Sequence, residues 1–310
     1  MAVPVIYVVI VTYNGLRWVD ACFGSLRNSS VPLRTVVVDN ASTDGTAERI
    51  AERFPEVHQI RSGENLGFGR ANNLGIRYAR ERGADHFLLL NQDAWLFPDT
   101  VARLLAAEDP ACGILSPVHL DGTGEKMDRA FRKYVFGKEA TGGDRELLAA
   151  FTTPRDVQFV NAAAWLLPRR TIETVGGFDP IFAHYGEDDN YCHRVLHHAL
   201  TIRVVPDAAI CHDRQGTKKP LQTAWVGRYL LMTYADPRYT PWQATRRTAV
   251  VQLRLLAKVP WLLAAGRSEE ARQIGRAYGD LWRRRREVAA SRRRDAQPGP
   301  RWLEEEPNHE

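Results

Sequence analysis

A short apolar run in the sequence ends on polar side chains that could bind a metal ion. The run FLLL at 87–90 is apolar on both faces and too short for a helix, which favours a strand buried in a parallel sheet. Asn91, Gln92 and Asp93 follow it and would lie at the carboxyl edge of the sheet, where open α/β folds bind ligands. A carboxylate there is a hard oxygen ligand for Mg²⁺ or Mn²⁺. The alternative is that Asp93 simply caps the next helix.

A second carboxylate, Asp39, ends the apolar run at 36–38 in the same way. At this edge it can accept a hydrogen bond from the imide N–H of uracil or thymine. Thr12, Tyr13 and Asn14 end the neighbouring strand and offer an aromatic face and hydrogen-bonding groups. These residues predict a pocket for a base and its ribose. The polar residues after Asp39 are also ordinary helix-capping types, namely Ser42, Thr43 and Asp44.

The segment at 64–73 combines glycines and amides at the start of a predicted helix. Asn65, Gly67, Gly69 and Asn72 lie where the unpaired N–H groups of a first helical turn favour an anion. The segment is not a dinucleotide-binding fingerprint, because it lacks the third glycine and follows the third strand rather than the first. No Walker A sequence occurs in the chain, which excludes a P-loop ATPase.

A further group of acids surrounds Asp188. Glu187, Asp188 and Asp189 stand at the predicted start of a helix, after the pair Gly176-Gly177 and an aromatic-rich loop. Three acids at a helix start could merely complement the helix dipole. That explanation does not account for the glycine pair and the aromatic loop. A carboxylate in this group could act as a general base on a hydroxyl.

Histidines and cysteines in the second half raise zinc binding as an alternative. They are Cys192, His193, His197, Cys211 and His212. The helical histidine pair lacks the glutamate of a metalloprotease, and no second pair has structural-zinc spacing, so the pattern favours zinc only weakly. His212 differs, because it follows the predicted strand at 208–211 and could ligate an ion held by Asp93.

Strand and helix patterns alternate with short connections through the first 120 residues. This alternation predicts βαβ units, and therefore an α/β fold with a mostly parallel central sheet flanked by helices. The predicted strands are 5–11, 35–38, 57–61, 87–90 and 113–118. The predicted helices are 16–27, 43–54, 66–82 and 98–107.

The remainder of the chain changes character twice. Residues 121–155 are rich in Gly, Lys, Arg and Asp and are predicted to be a loop-rich insertion that sets specificity. Further strands are predicted at 157–167, 202–205 and 208–212, with a helix at 188–198. We therefore predict one domain over 1–216, a basic helical extension over 217–294 and a disordered tail over 295–310. Pro260 is expected to break or kink the extension's second helix.

The bulk composition is that of a soluble globular protein, with 44% hydrophobic and 25% charged residues. No apolar run approaches the length of a membrane-spanning helix, and the four cysteines lack disulfide spacing, so we expect a cytoplasmic protein. Arginine runs at 283–286 and 292–294 lie in predicted helices that are rich in Leu, Trp and Arg. They could contact the cytoplasmic face of a membrane, form a homodimer interface, or be solvated, and we expect no nucleic-acid partner.

Six motifs in this order resemble the family-2 inverting glycosyltransferases of the type-A fold, and most closely their rhamnosyltransferase-like branch. The motifs are VIVTYNG, VVVDNASTDGT, ENLGFGRANNLGI, LLLNQDAWL, VGGFDPIFAHYGEDDNYCHR and the late His212, within residues 4–217. Each motif alone is weak, and their common order is what makes the resemblance specific.

The resemblance implies roles for the matching residues. The implied nucleotide-binding residues are Thr12, Tyr13, Asn14, Asp39, Asn65, Gly67, Asn72, Asn91 and Gln92. The implied ligands of Mg²⁺ or Mn²⁺ are Asp93, in the Asp-x-Asp position of the family, and His212. Asp188 corresponds to the catalytic base, with Glu187 and Tyr185 on the acceptor side.

The sequence departs from the family pattern at three places. Asn91 replaces the first acid of the metal motif, which weakens the metal site. Asn190 replaces a further acid after the Glu-Asp pair and could alter an acceptor contact. His197-His198 replaces the usual Lys/Arg-Ala/Gly turn, and the sequence offers no reason for it.

The resemblance implies transfer of a sugar, rhamnose or another deoxysugar, from a dTDP- or UDP-sugar with inversion. The acceptor would be a glycan, glycolipid or small molecule in cell-surface or natural-product glycosylation. A sugar nucleotidyltransferase is the first alternative, but the segment at 12–15 is not the Gly-rich, basic loop that it would need. A non-catalytic scaffold is the second, and the presence of both Asp93 and Asp188 argues against it.

Overall fold

The computed structural model describes residues 3–137, 141–182, 185–214 and 222–304. The strands are β1 (Ile6–Thr12), β2 (Arg34–Asp39), β3 (His58–Arg61), β4 (His86–Asn91), β5 (Ala94–Leu96), β6 (Cys112–Asp121), β7 (Arg155–Val157), β8 (Ala164–Pro168) and β9 (Thr201–His212). The helices are α1 (Val19–Arg27), α2 (Thr46–Arg53), α3 (Phe68–Glu81), α4 (Thr100–Ala106), α5 (Arg129–Phe136), α6 (Asp144–Ala150), α7 (Arg169–Val175), α8 (Glu187–His197), α9 (Gln222–Ala235), α10 (Pro241–Ala264), α11 (Ser268–Arg283) and α12 (Arg285–Asp295).

The strands form one sheet in the order β3-β2-β1-β4-β8-β6-β9-β5, with β7 beside β9. β1 pairs in parallel with β2 and β4, and β2 pairs in parallel with β3. In this register Thr12 lies opposite Asp39, and Val11 lies opposite Asn91, so the three strands end at one edge. The predicted α/β fold is confirmed. Beyond β4 the sheet is mixed, because β8 runs antiparallel to β4 and β6, and β9 runs antiparallel to β5 and β7.

Apolar cores lie on both faces of the sheet. Val9 of β1 lies in one core, whereas its neighbours Val8 and Ile10 lie in the other, because successive side chains of a strand point to opposite faces. β4 divides between the two cores in the same way. Burial on both faces explains why these strands are continuous apolar runs in the sequence.

Strand β9 is continuous where two short strands were predicted, and it carries His212 to the metal motif. Its register against β6 shifts after Pro117, so residues 206–208 bulge from the ladder. Beyond the bulge, His212 pairs with Asp121 of β6 and with Ala94 of β5. The predicted strand at 157–167 is in turn two strands, β7 and β8.

The insertion at 121–155 is more ordered than predicted, since it contains α5 and α6. Asp128 caps α5 by accepting hydrogen bonds from the backbone N–H groups of Ala130 and Phe131, each at 2.8 Å. Phe131 and Val135 of α5 are buried in one of the cores. The insertion is therefore part of the packed fold, although residues 138–140 lie outside the described ranges.

Helices α9 to α12 pack on one another, and α9 also contacts α8. α10 runs from Pro241 to Ala264 without a break at Pro260. In the described ranges, no helix is both long and apolar enough to cross a membrane. The boundary predicted at residue 216 lies outside the described residues.

The prediction of a disordered tail is wrong for residues 295–304. Asp295 is buried, and its carboxylate accepts hydrogen bonds from Asn190 at 3.1 Å and Trp302 at 3.0 Å. Its Oδ1 also lies 3.1 Å from Nε of the buried Arg194. Composition predicted disorder here because it does not reveal that a charged residue has buried partners. Residues 305–310 lie outside the described ranges.

The segment at 299–304 covers the Gly176-Gly177 turn. The Gly177 N–H donates to the backbone oxygen of Arg301 at 2.8 Å, and Leu303 joins the core. Gly176 has φ +83°, and a side chain there would collide with the Arg301 backbone. Glycine at this position is therefore required both by the conformation and by the close approach of the chain.

Candidate functional site

Asp39 is buried at the end of β2, and its side chain is held by neighbouring donors. Oδ1 accepts hydrogen bonds from the hydroxyls of Thr12 at 2.8 Å and Ser42 at 2.6 Å. Oδ2 accepts from the Ser42 backbone N–H at 3.0 Å. Ser42 therefore orients Asp39. The result is a rigid, ionisable acceptor at the carboxyl edge of the sheet.

The Gln92 side chain joins the ends of β1 and β4. Its Oε1 accepts from the Tyr13 N–H at 2.9 Å, and its Nε2 donates to the Tyr13 backbone oxygen at 3.2 Å. Asn14 adopts φ +48°, and its Oδ1 accepts from the Thr43 N–H at 2.9 Å. The Tyr13 side chain is 48% exposed. The structure thus places an exposed aromatic residue on a well-braced turn, directly after Thr12, whose hydroxyl binds Asp39.

The amides before and within α3 shape the turn that begins this helix. The Asn65 Oδ1 accepts from the Gly67 N–H at 2.9 Å, and Asn72 donates to the Phe68 backbone oxygen at 2.9 Å. Gly67 has φ +80°, and its carbonyl accepts from Asn40 at 3.3 Å. These side chains make their hydrogen bonds to backbone groups of the turn itself. A ligand at this turn would therefore contact backbone groups, which the side chains hold in position.

Asp93 lies in the turn between β4 and β5, beside the end of β9. Its Oδ1 is 3.4 Å from His212 Nε2, and its backbone oxygen accepts from the Asp213 N–H at 2.8 Å. The alternative that Asp93 caps the next helix is wrong, because the residue preceding α4 is Asp99. Asn91, at the end of β4, is fixed by its N–H bond to the Ala163 backbone oxygen at 2.9 Å.

His212 is buried between two carboxylates. Its Nδ1 lies 3.9 Å from Oδ2 of Asp128, opposite the contact of Nε2 with Asp93. Arg214 Nε lies 3.2 Å from the same Asp128 oxygen. Behind His212 stands buried His119, whose pKa burial holds well below its ordinary value. Across the described residues, no group of three or more His, Cys, Asp or Glu side chains is placed to hold a metal ion.

The acids of α8 form its first turn, after Gly186 with φ +97°. The Asp189 N–H donates to Asp188 Oδ1 at 2.9 Å. Burial raises the pKa of Glu187 and of Asp189 to about 7, helped in each by the charge of Asp188, and burial also raises the pKa of Asp188. Glu187 Oε2 is buried without a hydrogen-bond partner in the described structure. Such carboxylates can exchange protons near neutral pH.

Arg214 connects the metal-motif side of the site with the α8 acids. It pairs with Asp128, and its charge opposes the rise that burial causes in the pKa of Asp188. Tyr134 of α5 lies within the electrostatic reach of Arg214, Asp188 and Asp128. The structure thus brings the predicted metal ligands and the predicted base into one neighbourhood.

The turn at the start of α3 also meets α8. A side chain at Gly69 would contact Cβ of Phe178 at 3.0 Å and Cβ of Glu187 at 3.8 Å. The predicted nucleotide side and the predicted acceptor side therefore share a boundary, and a larger residue than glycine would separate them.

Sequence reasoning missed three charged residues of this site. Asp128 comes from the insertion, Arg214 follows His212 by two positions, and Arg228 lies on α9. The Arg228 guanidinium sits 4.4 Å from the Tyr185 ring centroid, and its charge opposes the rise that burial causes in the pKa of Asp188. Only the short spacing from His212 to Arg214 was visible in the sequence. The other two residues reach the site through tertiary packing.

The zinc alternative is contradicted by the partners of the α8 histidines. His193 Nδ1 lies 3.3 Å from buried Asp236. His197 and His198 contact the backbone oxygens of Ala296 at 3.3 Å and Asp295 at 3.2 Å. The His197-His198 pair that departs from the family pattern therefore packs against the end of α12.

Comparisons with known proteins agree with this geometry. The family model "Glycosyl transferase family 2" matches residues 7–141. The chain is 28% identical over 212 residues to the dTDP-rhamnosyl transferase RfbF of Shigella flexneri, across 67% of this chain and 68% of that protein. It is 27% identical over 237 residues to the N-acetylglucosaminyl-diphospho-decaprenol L-rhamnosyltransferase of Mycobacterium tuberculosis, across 68% of this chain and 76% of that protein.

A solved structure supports the fold. The mannosyltransferase PcManGT of Pyrobaculum calidifontis, in complex with GDP-Man and Mn²⁺, has a TM-score of 0.54 at 20% identity, over 96% of this chain and 87% of that one. The architecture is that of a type-A glycosyltransferase. With this fold, residues 7–141 match the model of glycosyltransferase family 2, and about two thirds of the chain resembles rhamnosyltransferases.

Proposed function

We propose that this protein transfers rhamnose or a related deoxysugar from a dTDP- or UDP-sugar to an acceptor hydroxyl, with inversion at the anomeric carbon. The observation that carries the proposal is the chain of contacts from Asp93 through His212 and Asp128 to Arg214, whose charge acts on Asp188. The name of the Shigella relative, a dTDP-rhamnosyl transferase, supports the choice of donor.

In this proposal the donor's pyrimidine base binds at the edge formed by β1 and β2. The Asp39 carboxylate has acceptor capacity left after its bonds to Thr12 and Ser42, since two carboxylate oxygens offer about four lone-pair sites. It can accept from the imide N–H while the base lies against the exposed Tyr13 ring. Asn14 and the turn at Gly67 complete the ribose side.

The proposed chemistry is a single displacement. Asp188 removes the proton from the acceptor hydroxyl as its oxygen attacks the anomeric carbon of the donor sugar. The bond from that carbon to the diphosphate oxygen breaks in the same step, and the electron pair leaves with the nucleoside diphosphate. The raised pKa of Asp188 strengthens it as a base, and the positive charge of Arg214 favours the departing diphosphate.

Asp93, after β4, and His212, at the end of β9, would hold a divalent ion. Asp93 Oδ1 and His212 Nε2 lie 3.4 Å apart, which is close enough for both to ligate one ion. A site with one carboxylate and one imidazole leaves other positions to substrate phosphates, and the nitrogen ligand favours Mn²⁺ over Mg²⁺. When bound, the ion would neutralise charge on the diphosphate.

Residues 1–216 would carry the transfer, while helices α9 to α12 would place the protein at the cytoplasmic face of a membrane. Trp242, Leu253 and Trp261 of α10 are each more than half exposed. The sequence of α10 contains arginines and a lysine but no acidic residue. An exposed apolar face on a basic helix is typical of contact with anionic lipid.

Vesicle flotation tests this membrane contact. The chain should float with anionic vesicles but not with neutral ones, and Trp242→Ser with Leu253→Ser should abolish flotation. Val3→Ser, at another exposed apolar residue, is the control. If all variants floated to the same extent, the proposed membrane contact would be wrong. If the protein self-associated and the double variant did not, this face would be assigned to a homodimer.

The experiment that tests the transferase proposal is a calorimetric titration of dTDP and UDP into the protein with Mn²⁺, with Mg²⁺ and with a chelator. Metal-dependent binding of one nucleotide is expected. Asp93→Ala should reduce that metal dependence, and Glu48→Ala, on the exposed face of α2, should leave it unchanged. If neither nucleotide binds under any condition, the non-catalytic scaffold becomes the better explanation.

A further inference from the structure

A cavity of about 510 Å³ lies between the four helices α9 to α12. Much of its lining is apolar or aromatic, including Tyr234, Tyr278, Leu281, Trp282, Val288 and Ala289. Trp282 is 68% exposed, so the cavity opens to the surface beside it. Protein interiors leave few voids larger than a water molecule, and this volume is that of a ligand pocket.

Two arginines of α12, Arg285 and Arg292, also line the cavity. The Arg285 guanidinium stacks on Trp282 at 4.3 Å and donates to the Trp282 backbone oxygen at 2.8 Å. The Arg292 guanidinium has no hydrogen bond or ion pair with any described residue, and burial beside Arg293 lowers its pKa. By contrast, Arg284 pairs with Glu287 at 2.9 Å. Cations that lack an acidic partner at an apolar cavity favour a ligand with an anionic group on an apolar body.

The cavity lies close to the site proposed for transfer. Tyr234 follows Arg228 by six residues on α9, which is about 9 Å along the helix axis. Arg228 is one of the two arginines whose charge acts on Asp188. Val288, which lines the cavity from α12, belongs to the same apolar cluster as Phe182, which precedes α8. A short saccharide can span this distance.

We propose that the cavity holds the apolar chain of a lipid-linked acceptor, whose phosphate or diphosphate is bound by Arg285 and Arg292 and whose sugar extends toward Asp188. This inference rests on the proposed function, because it names the acceptor class for that site. A free glycan would leave the apolar walls in water, whereas a lipid chain removes them from it. The guanidinium groups, neither of which has an acidic partner among the described residues, match a phosphate in charge and in hydrogen-bonding geometry.

Binding of farnesyl diphosphate to the full chain, measured by calorimetry without nucleotide sugar, tests the cavity directly. Pyrophosphate and farnesol are the comparison ligands, and farnesyl diphosphate should bind at least tenfold more tightly than either. Arg292→Gln should weaken that binding about tenfold, as loss of a charge-assisted hydrogen bond predicts. Arg293→Gln is the matched control, because Arg293 is its exposed neighbour, and should change binding less than twofold.

Ala289→Trp would fill the cavity and should abolish binding of farnesyl diphosphate. A thermal melt establishes whether that variant folds, and Arg285→Gln provides a second test that leaves the apolar walls intact. The proposal is overturned if farnesyl diphosphate binds no better than pyrophosphate. Equal weakening by Arg292→Gln and Arg293→Gln would also overturn it, since that result indicates nonspecific attraction to a basic surface.

Titration of dTDP and UDP into the same variants separates this inference from the transferase proposal. Each cavity variant should bind nucleotide with unchanged affinity and should show a raised KM only for an acceptor that carries a prenyl diphosphate. Turnover of a soluble acceptor without farnesyl diphosphate binding would overturn the cavity assignment alone. Farnesyl diphosphate binding without nucleotide binding would support a lipid phosphate site and overturn the transferase.

Discussion

The carboxylates at the two sides of the site differ in how their oxygens are satisfied. Asp39 accepts hydrogen bonds from Thr12 and Ser42 at the edge of a parallel sheet. Glu187 and Asp189, in the first turn of α8, have pKa values raised to about 7, and Glu187 Oε2 finds no donor in the described structure. A carboxylate that neighbouring donors hold in place suits recognition of a fixed partner. A desolvated one suits uptake and release of a proton.

The two sides also differ in what holds them in place. The edge with Asp39 and Gln92 is braced by residues that precede residue 93. Helix α8 is braced by residues more than 100 positions later, because Asn190 and Arg194 both contact Asp295. We infer that the recognition side can tolerate damage to the helical extension, whereas the proton-transfer side cannot.

The largest effect should come from Asp188→Asn. Removal of the proposed base should reduce transfer about 10³-fold, within the range of general-base contributions, with nucleotide affinity unchanged. Single-turnover kinetics and calorimetry measure the two quantities on the same protein. Asp189→Asn is the control and should cost far less. Full activity in Asp188→Asn would assign the base elsewhere.

Asp295→Ala should come next, since it leaves the buried Arg194 without its ion-pair partner. We expect the free energy of unfolding to fall by about 3 kcal/mol, and transfer to fall while nucleotide affinity stays within about twofold. Urea denaturation measures the first effect. Asp280→Ala, which removes only an exposed partner of Arg283, should change stability by less than about 0.5 kcal/mol. If Asp295→Ala weakened nucleotide binding as much as it reduced transfer, the nucleotide side of the site would also depend on the helical extension, contrary to our inference.

Asp39→Ala addresses the recognition side. Loss of a charge-assisted hydrogen bond to the base should weaken nucleotide binding about 30-fold, corresponding to about 2 kcal/mol. Ser42→Ala, which removes only a group that orients Asp39, should weaken binding about threefold. Calorimetry with the preferred nucleotide measures both. An unchanged Kd in Asp39→Ala would show that the base binds elsewhere.

The pH dependence of kcat/KM and of nucleotide affinity should also differ between the two sides of the site. Because burial raises the pKa of Asp188, the acid is protonated and inactive as a base at low pH. As the pH falls below the raised pKa of Asp188, kcat/KM should fall about tenfold per pH unit, while nucleotide affinity changes less. For stability the sign is opposite: the folded state binds the extra protons, so the α8 acids lower stability as pH rises toward about 7. A flat kcat/KM between pH 5 and 8 would contradict the assignment.

The sequence predicted those parts of the site that depend on strand ends. Asp39 and Asp93 could be placed at one edge because an apolar run followed by a polar residue fixes where a buried strand stops. Asp128, Arg228 and Asp295 could not be placed, because their roles depend on packing between segments distant in sequence. The roles proposed for Asp93 and Asp188 remain predictions until the variants are measured.

The segment at 299–304 has a consequence for how the chain matures. Leu303 fills a core to which Tyr7 and Phe87 also belong, and Arg301 closes the Gly176-Gly177 turn. These residues are synthesised after everything they complete. Until residues 299–304 are synthesised, part of the apolar core beside α8 is therefore exposed to solvent, where it can bind chaperones or aggregate. The first strands, whose partners lie within 91 residues, can settle much earlier.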